Sequence, residues 1–212
     1  MKTFLKTALL IATLGSSSHL QAIEDAPAQK KRDPKKLEKA AKAGDADAMN
    51  DLAVLLLKGE EDKDRAIDML KKASTKGNVM AQANLGRRFE LGLDVDQDSE
   101  SALKYYRMAV KQDDVYSLSY LATMIWRGDG VPRDRQEGCR MLIEAAKKGS
   151  ARSQFYLGTY YGAGAGVEQD DKKAVEYYKM GALNGDSRAM SSLGRRYISG
   201  KGVEKNPKKA VE

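Results

Sequence analysis

Few residues in this chain could act as a catalytic base or a soft metal ligand. Among its 212 residues, His19 is the single histidine and Cys139 the single cysteine. Ser–His and Cys–His nucleophilic pairs need a histidine base, and many zinc sites need a histidine ligand. His19 lies in an N-terminal segment that we expect to be removed, so the mature chain is predicted to be non-catalytic. Cys139 cannot form an internal disulfide, and its place in a predicted helix favours a buried, inert thiol.

The densest acidic stretch, residues 94–100, begins like a calcium-binding loop. Such a loop needs glycine at its sixth position and glutamate at its twelfth. This chain has Ser99 and Tyr105 there, and Asp98 is better explained as a helix cap. The glycine-rich turns do not match the phosphate-loop pattern G-x-x-x-x-G-K-[ST]. The sequence therefore predicts no metal site and no cofactor.

The elements that would position any functional side chain follow from an internal repeat. A Leu-Gly or Leu-Ala pair begins at Leu52, Leu85, Leu121, Leu157 and Leu193, with spacings of 33, 36, 36 and 36 residues. A glycine follows each pair after six residues, and then a side-chain cap and a small residue recur in the same register. A fixed period in this range is typical of a helical solenoid.

Each repeat is predicted to contain two helices and no strand. The glycine turn separates the two helices, and a second glycine ends most repeats. First helices are predicted at 48–58, 81–91, 117–127, 153–163 and 189–199. Second helices are predicted at 63–76, 99–112, 135–148 and 171–184.

The two ends of the repeat array differ. Residues 34–43 match the tail of a second helix and are predicted to cap the N-terminal end, as solenoids require. In the last repeat the second helix begins at Pro207, and the sequence stops at Glu212. This leaves the apolar side of the last first helix without a full covering helix. Either the natural chain is longer or truncated, or another molecule covers that end. For the 212-residue chain we expect residues 189–212 to self-associate or to be disordered.

The N-terminus indicates export. Residues 1–22 combine a lysine-led start, a short apolar run and a small residue at Ala22, as in a bacterial secretory signal peptide. Its removal takes two of the 37 basic residues and none of the 30 acidic ones, so the net charge falls from +7 to +5. Residues 23–33 are predicted to be a flexible linker. We expect a periplasmic or secreted protein that binds no nucleic acid and is not an integral membrane protein.

The repeat pattern resembles that of the Sel-one-like repeat family, a subclass of tetratricopeptide-like repeats. The match is closest at residues 153–185 and 189–212, and the resemblance covers residues 34–212. It implies an all-α fold: a right-handed superhelical solenoid of helix-turn-helix repeats with a concave groove lined mainly by first helices. It also implies an adaptor or scaffold that binds other proteins. Some cysteine-rich members were described as β-lactamases, but this chain lacks their paired cysteines.

The groove side of the first helices carries the candidate partner-binding residues. They include the single tryptophan and several arginines, and Trp, Tyr and Arg dominate protein-interface energies, often at about 2 kcal/mol or more for an anchor. The alternative is that Trp126 packs between helices and the arginines are merely solvated. The candidate residues are Asn50, Arg87, Glu90, Tyr116, Ser119, Trp126, Arg127, Arg152, Phe155, Thr159, Arg188 and Arg195.

These features favour a non-catalytic periplasmic adaptor that holds an acidic or extended segment of another protein in its groove. The alternatives are a cell-wall or glycan-associated binding protein or hydrolase, and an immunity protein against a secreted effector. The missing histidine, and the absence of an acid pair marked by spacing, favour the adaptor.

Overall fold

The computed structural model describes residues 33–60 and 62–210, and within these ranges all regular secondary structure is helical. This confirms the predicted fold class. The predicted signal peptide and most of the predicted linker lie outside the described residues. The helices are α1 (Pro34–Lys42), α2 (Ala46–Lys58), α3 (Lys63–Thr75), α4 (Val79–Leu91), α5 (Ser99–Val110), α6 (Val115–Arg127), α7 (Arg135–Lys147), α8 (Ala151–Ala163), α9 (Asp171–Leu183), α10 (Ser187–Ser199) and a 3₁₀ helix (Pro207–Ala210).

The helices stack as a solenoid of hairpins. Every helix packs against the next, and the hairpins α2–α3, α4–α5, α6–α7 and α8–α9 each form one repeat. Among the described helices, first helices of neighbouring repeats also touch directly, α4 with α6 and α8 with α10. No pair of second helices in that part of the chain packs as closely. The elements that approach each other most closely lie on the inner side of a curved stack, so the first helices line the concave face.

The first helices end at the predicted residues but begin two residues earlier. In each case a polar side chain just before the helix accepts a hydrogen bond from the backbone N–H three residues ahead, which satisfies a donor left free in the first turn. The apolar pattern alone starts at the first packing residue and misses this capped turn. The capping residues are Asp45, Asn78, Asp114, Ser150 and Asp186.

Close contacts at glycine hold the two helices of a repeat together. A Cβ atom on Gly158 would lie 2.6 Å from the ring of Tyr178, and one on Gly86 would lie 2.6 Å from the ring of Tyr106. Both tyrosines are buried. The glycine of the Leu-Gly pair thus makes room for a ring from the second helix, which explains its presence in the second and fourth repeats.

The last repeat ends in a short turn within the described residues. Pro207–Ala210 forms a 3₁₀ helix that packs on α10, where a Cβ on Gly194 would lie 3.1 Å from the carbonyl oxygen of Ala210. Leu183, Met190 and Ile198 nearby are 88%, 48% and 54% exposed. In the described ranges, no helix is both long enough and apolar enough to cross a membrane.

Candidate partner-binding groove

Side chains from four successive first helices contact one another along the concave face. They alternate between guanidinium groups and aromatic rings, and we call the set the arginine–aromatic ladder. Its members are Arg87 of α4, Tyr116 and Tyr120 of α6, Arg152, Phe155 and Tyr156 of α8, and Arg188 of α10.

Tyr120 is the centre of the ladder. Its ring is fully buried, and guanidinium groups from the helices on either side approach it. The Cζ atom of Arg87 lies 4.8 Å from the ring centroid, and that of Arg152 lies 3.8 Å from it. The ring of Tyr116 tilts against Tyr120 with 4.5 Å between centroids. A cation over an aromatic face is stabilised by the ring's quadrupole, so Tyr120 fixes both arginines in place.

The ladder continues through α8 into α10. Arg152 also lies 4.8 Å from the centroid of the Tyr156 ring. Arg188 lies 4.4 Å from the centroid of Phe155, which itself packs edge-on against Tyr156 at 5.3 Å. Phe155 and Tyr156 are half-buried, so part of each ring faces solvent. The contacts therefore join the third, fourth and fifth repeats into one surface.

Two carboxylates are held inside this surface by ion pairs. Glu90 accepts a hydrogen bond from Arg87 Nη1 at 3.0 Å and another from the Tyr106 hydroxyl at 2.7 Å. Asp186 receives two hydrogen bonds from Arg188, at 3.1 Å from Nε and 2.5 Å from Nη2. Both acids are thus committed to neighbouring donors.

Three polar groups of the ladder are buried without a hydrogen-bond partner of good geometry among the described residues. They are the hydroxyls of Tyr116 and Tyr120 and the Nε of Arg152. Burial raises the pKa of Tyr116 well above its ordinary value, and the neighbouring Tyr120 hydroxyl adds to the shift. The Tyr116 hydroxyl therefore remains protonated and a hydrogen-bond donor. A buried donor without an acceptor is costly, about 1–3 kcal/mol each.

Trp126 lies in a packing contact between repeats. Its ring stacks on Tyr160 with 4.3 Å between centroids and an interplanar angle of 4°. Its Nε1 donates to the carbonyl oxygen of Ala165 at 3.2 Å, and Gly138 packs directly on its Cβ. The side chain is half-buried. These contacts account for the tryptophan without a partner, although its exposed edge leaves room for one.

The remaining predicted groove residues have different surroundings. Asn50 and Ser119 are buried, and their polar atoms bond to neighbouring helices rather than to the surface. Thr159 accepts a hydrogen bond from the Tyr178 hydroxyl at 3.2 Å. Arg127 and Arg195 are exposed. The structure thus brings Arg87, Glu90, Tyr116, Arg152, Phe155 and Arg188 into one connected surface, and places Trp126, Asn50 and Ser119 in packing positions.

The sequence reasoning missed Tyr120 and Tyr156. Each directly precedes the leucine of its Leu-Ala or Leu-Gly pair. An aromatic ring at this position is expected to be a buried core residue, and Tyr120 is indeed buried. The available signal was the spacing within each first helix, because Tyr120 lies four residues after Tyr116 and Tyr156 four residues after Arg152, and residues four apart share a helix face.

The described residues also include possible metal-ligating side chains and a single thiol. No group of three or more His, Cys, Asp or Glu side chains in that part of the chain could hold a metal ion. Cys139 is buried as predicted, and burial raises the pKa of its thiol, which makes the thiolate scarce at neutral pH. The functional groups that the ladder gathers are guanidinium groups, phenol hydroxyls and aromatic rings.

A helical repeat solenoid with a concave groove has the architecture of a protein-interaction scaffold. The Sel1 repeat matches this chain five times, at residues 46–78, 79–114, 115–150, 151–186 and 187–212. The chain therefore belongs to the Sel1 repeat family, whose members generally act as protein-interaction scaffolds. No curated protein matches it significantly.

Solved structures of similar proteins agree with this assignment. A protective antigen of uropathogenic Escherichia coli with an SLR fold is 31% identical, with a TM-score of 0.74 over 82% of this chain and 38% of the antigen. A Sel1 repeat protein from Oxalobacter formigenes is 27% identical, with a TM-score of 0.80 over 84% of this chain and 72% of its own. The present chain thus spans well under half of the antigen.

Proposed function

We propose that this protein is a non-catalytic adaptor of the periplasm, and that its concave face holds an acidic or extended segment of another protein. The observation that carries the proposal is the arginine–aromatic ladder, which runs without interruption from α4 to α10. Arginine and tyrosine are the residue types that contribute most at protein interfaces. The proposed location rests on the signal-peptide pattern of residues 1–22.

Site-specific photo-crosslinking tests the proposal. A photoreactive phenylalanine analogue replaces Tyr156 in the ladder or, as a control, Tyr177 on the second helix α9. Both tyrosines are half-buried, and the control lies away from the concave face. In cells of the natural host, Tyr156 should yield a discrete protein adduct in the periplasmic fraction and Tyr177 should not. Equal adducts from both positions would contradict the groove, and glycan adducts would identify a cell-wall-binding protein instead.

We further propose that α9 and α10 pair with a second copy of the chain through their exposed apolar side chains. Leu183 and Met190 line this face together with Leu193 and Tyr197, and Leu183 is 88% exposed. Contiguous exposed apolar side chains commonly mark an interaction surface. Sedimentation should show a dimer that Leu183→Glu dissociates, whereas Leu91→Glu, at a 43%-exposed leucine of α4, should leave it intact. A wild-type monomer at all concentrations would rule out this pairing.

A further inference from the structure

Arg152 and Arg188 occupy equivalent positions in the fourth and fifth repeats, 36 residues apart. Each follows the capping residue of its first helix by two positions, and the caps differ. The cap is Ser150 before Arg152 and Asp186 before Arg188. The molecule therefore contains an internal comparison, in which the same arginine is placed beside a hydroxyl in one repeat and beside a carboxylate in the next.

In the fifth repeat the cap neutralises the arginine. Arg188 Nε donates to Asp186 Oδ1 at 3.1 Å, and Nη2 donates to Oδ2 at 2.5 Å. Asp186 is only 4% exposed, so this is a fork-shaped pair largely shielded from water. The guanidinium of Arg188 is thus supplied with a carboxylate from within the chain.

In the fourth repeat no such carboxylate exists among the described residues. The Ser150 hydroxyl is engaged with Ser119, at 2.7 Å, and with the backbone N–H of Ser153. The Nε of Arg152 is buried and has no acceptor, whereas the same atom of Arg188 bonds to Asp186. The rings of Tyr120 and Tyr156 stabilise the charge of Arg152 but accept none of its in-plane N–H groups.

The polar groups beside Arg152 also lack a well-placed hydrogen-bond acceptor in the described part of the chain. The hydroxyls of Tyr116 and Tyr120 are also buried without a partner of good geometry within the described ranges. A carboxylate only accepts hydrogen bonds, and it has about four lone-pair sites with which to take up a guanidinium fork and nearby hydroxyls. The half-buried rings of Phe155 and Tyr156 beside it offer apolar surface to a polypeptide chain, which favours a protein over a small inorganic anion.

We propose that Arg152 binds the carboxylate of an aspartate or glutamate in the extended segment of a partner protein, and this proposal rests on the proposed function. The partner then supplies to the fourth repeat the group that Asp186 supplies to the fifth. The groove would recognise an acidic residue at one defined position along the bound segment, rather than acidic character in general.

The test uses Ser150→Asp, which gives Arg152 the internal carboxylate of the next repeat. Aspartate caps a helix about as well as serine, so the fold should be kept and the melting temperature unchanged or raised. The probes are peptides selected on the wild-type chain from a random display library. We expect an acidic residue at a fixed place in the selected peptides. Replacing it with its amide, or introducing Ser150→Asp, should weaken binding about tenfold or more.

Two further variants make the result specific. Lys71→Gln changes the net charge by the same amount at an exposed position of α3, and this variant should bind the peptides as the wild type does. Adding Asp186→Ser to Ser150→Asp removes the internal carboxylate beside Arg188 and should restore binding of an acidic peptide, with the site moved by one repeat. A peptide that binds in the ladder without an acidic residue, and whose binding is unchanged by Ser150→Asp, would overturn this inference. The proposed function would still stand.

The remaining outcomes also decide the question. Selection of no peptide that binds through the ladder would overturn the proposed function together with this inference. Competition by inorganic phosphate that depends on Arg152, without any acidic preference in the peptides, would identify a phosphate site and overturn the carboxylate assignment.

Discussion

The junction between the first two repeats and the junctions among the last three are built differently on the same helical frame. Between the first two, Asn84 Nδ2 donates to Asn50 Oδ1 at 3.0 Å, and both amides are buried. Among the last three, Arg152 stacks on Tyr120 and Arg188 on Phe155. On the concave side, the contact at the first junction is a neutral amide pair, whereas the later contacts carry cations, half-buried rings and a buried Nε without an acceptor.

The same glycine–tyrosine packing occurs within one repeat of each region, the second and the fourth. Gly86 meets Tyr106 as Gly158 meets Tyr178, each with 2.6 Å from a Cβ position to the nearest ring atom. Stability therefore constrains the positions that bring two helices of one repeat together. The concave positions are free to differ, because a neutral amide pair and an arginine–ring contact both fill the space. On the proposed function, most of the groups that a partner would contact therefore lie in the last three repeats.

The largest expected effect is that of Trp126→Ala. This variant tests whether Trp126 mainly packs two repeats together or mainly belongs to the concave binding surface. The stacked contact with Tyr160 and the hydrogen bond to Ala165 would both be lost. We expect the free energy of unfolding to fall by about 3 kcal/mol, measured by denaturant titration. A fall of only a few tenths, accompanied by loss of peptide binding, would instead make Trp126 an interface anchor.

Most of the fold could be predicted from the sequence because packing repeats with a fixed period. Leu85, Leu121 and Leu157 are buried as the spacing requires, and the first helices end at the predicted residues. Their starts were less predictable because the apolar pattern begins after the first turn, while the turn itself depends on a polar cap such as Asn78 or Ser150. Capping residues were the signal that could have placed these starts.

The candidate site could be predicted only in part, because a position on the concave side has no fixed residue type. The position of Trp126 holds Glu90 in the second repeat, Gly162 in the fourth and Ile198 in the fifth. Helical spacing predicts on which face of the helix such a residue lies. It does not predict whether a side chain of the neighbouring repeat covers that residue. Arg152 and Arg188 look alike in sequence, and only the contact with Asp186 separates the satisfied arginine from the other.

An intermediate effect is expected from valine at the glycine contacts. Gly86→Val and Gly158→Val each place atoms inside the space of a buried tyrosine ring. Overpacking of this kind typically costs about 1–3 kcal/mol, and we expect similar losses for both because the contacts are equivalent. Differential scanning calorimetry can measure them, with Lys179→Val on an exposed face of α9 as the control for helix propensity. A loss confined to one variant would show that the two regions do not share their packing.

The smallest expected effect on stability is that of Arg127→Glu, which tests how far the binding surface extends beyond the ladder. The ion pair of Arg127 with Asp129 is 3.8 Å long, and the side chains are 44% and 41% exposed. Such a pair contributes little, so the free energy of unfolding should change by no more than about 0.5 kcal/mol.

Binding of an acidic peptide to the Arg127→Glu variant should weaken by a few-fold at low salt, and the difference from wild type should shrink as salt screens the exposed charge. Arg152→Gln provides the comparison, because its partly buried site is screened less and its effect should persist at high salt. If the salt dependence were reversed between the two variants, the partner's acid would lie at the end of α6 rather than over Arg152.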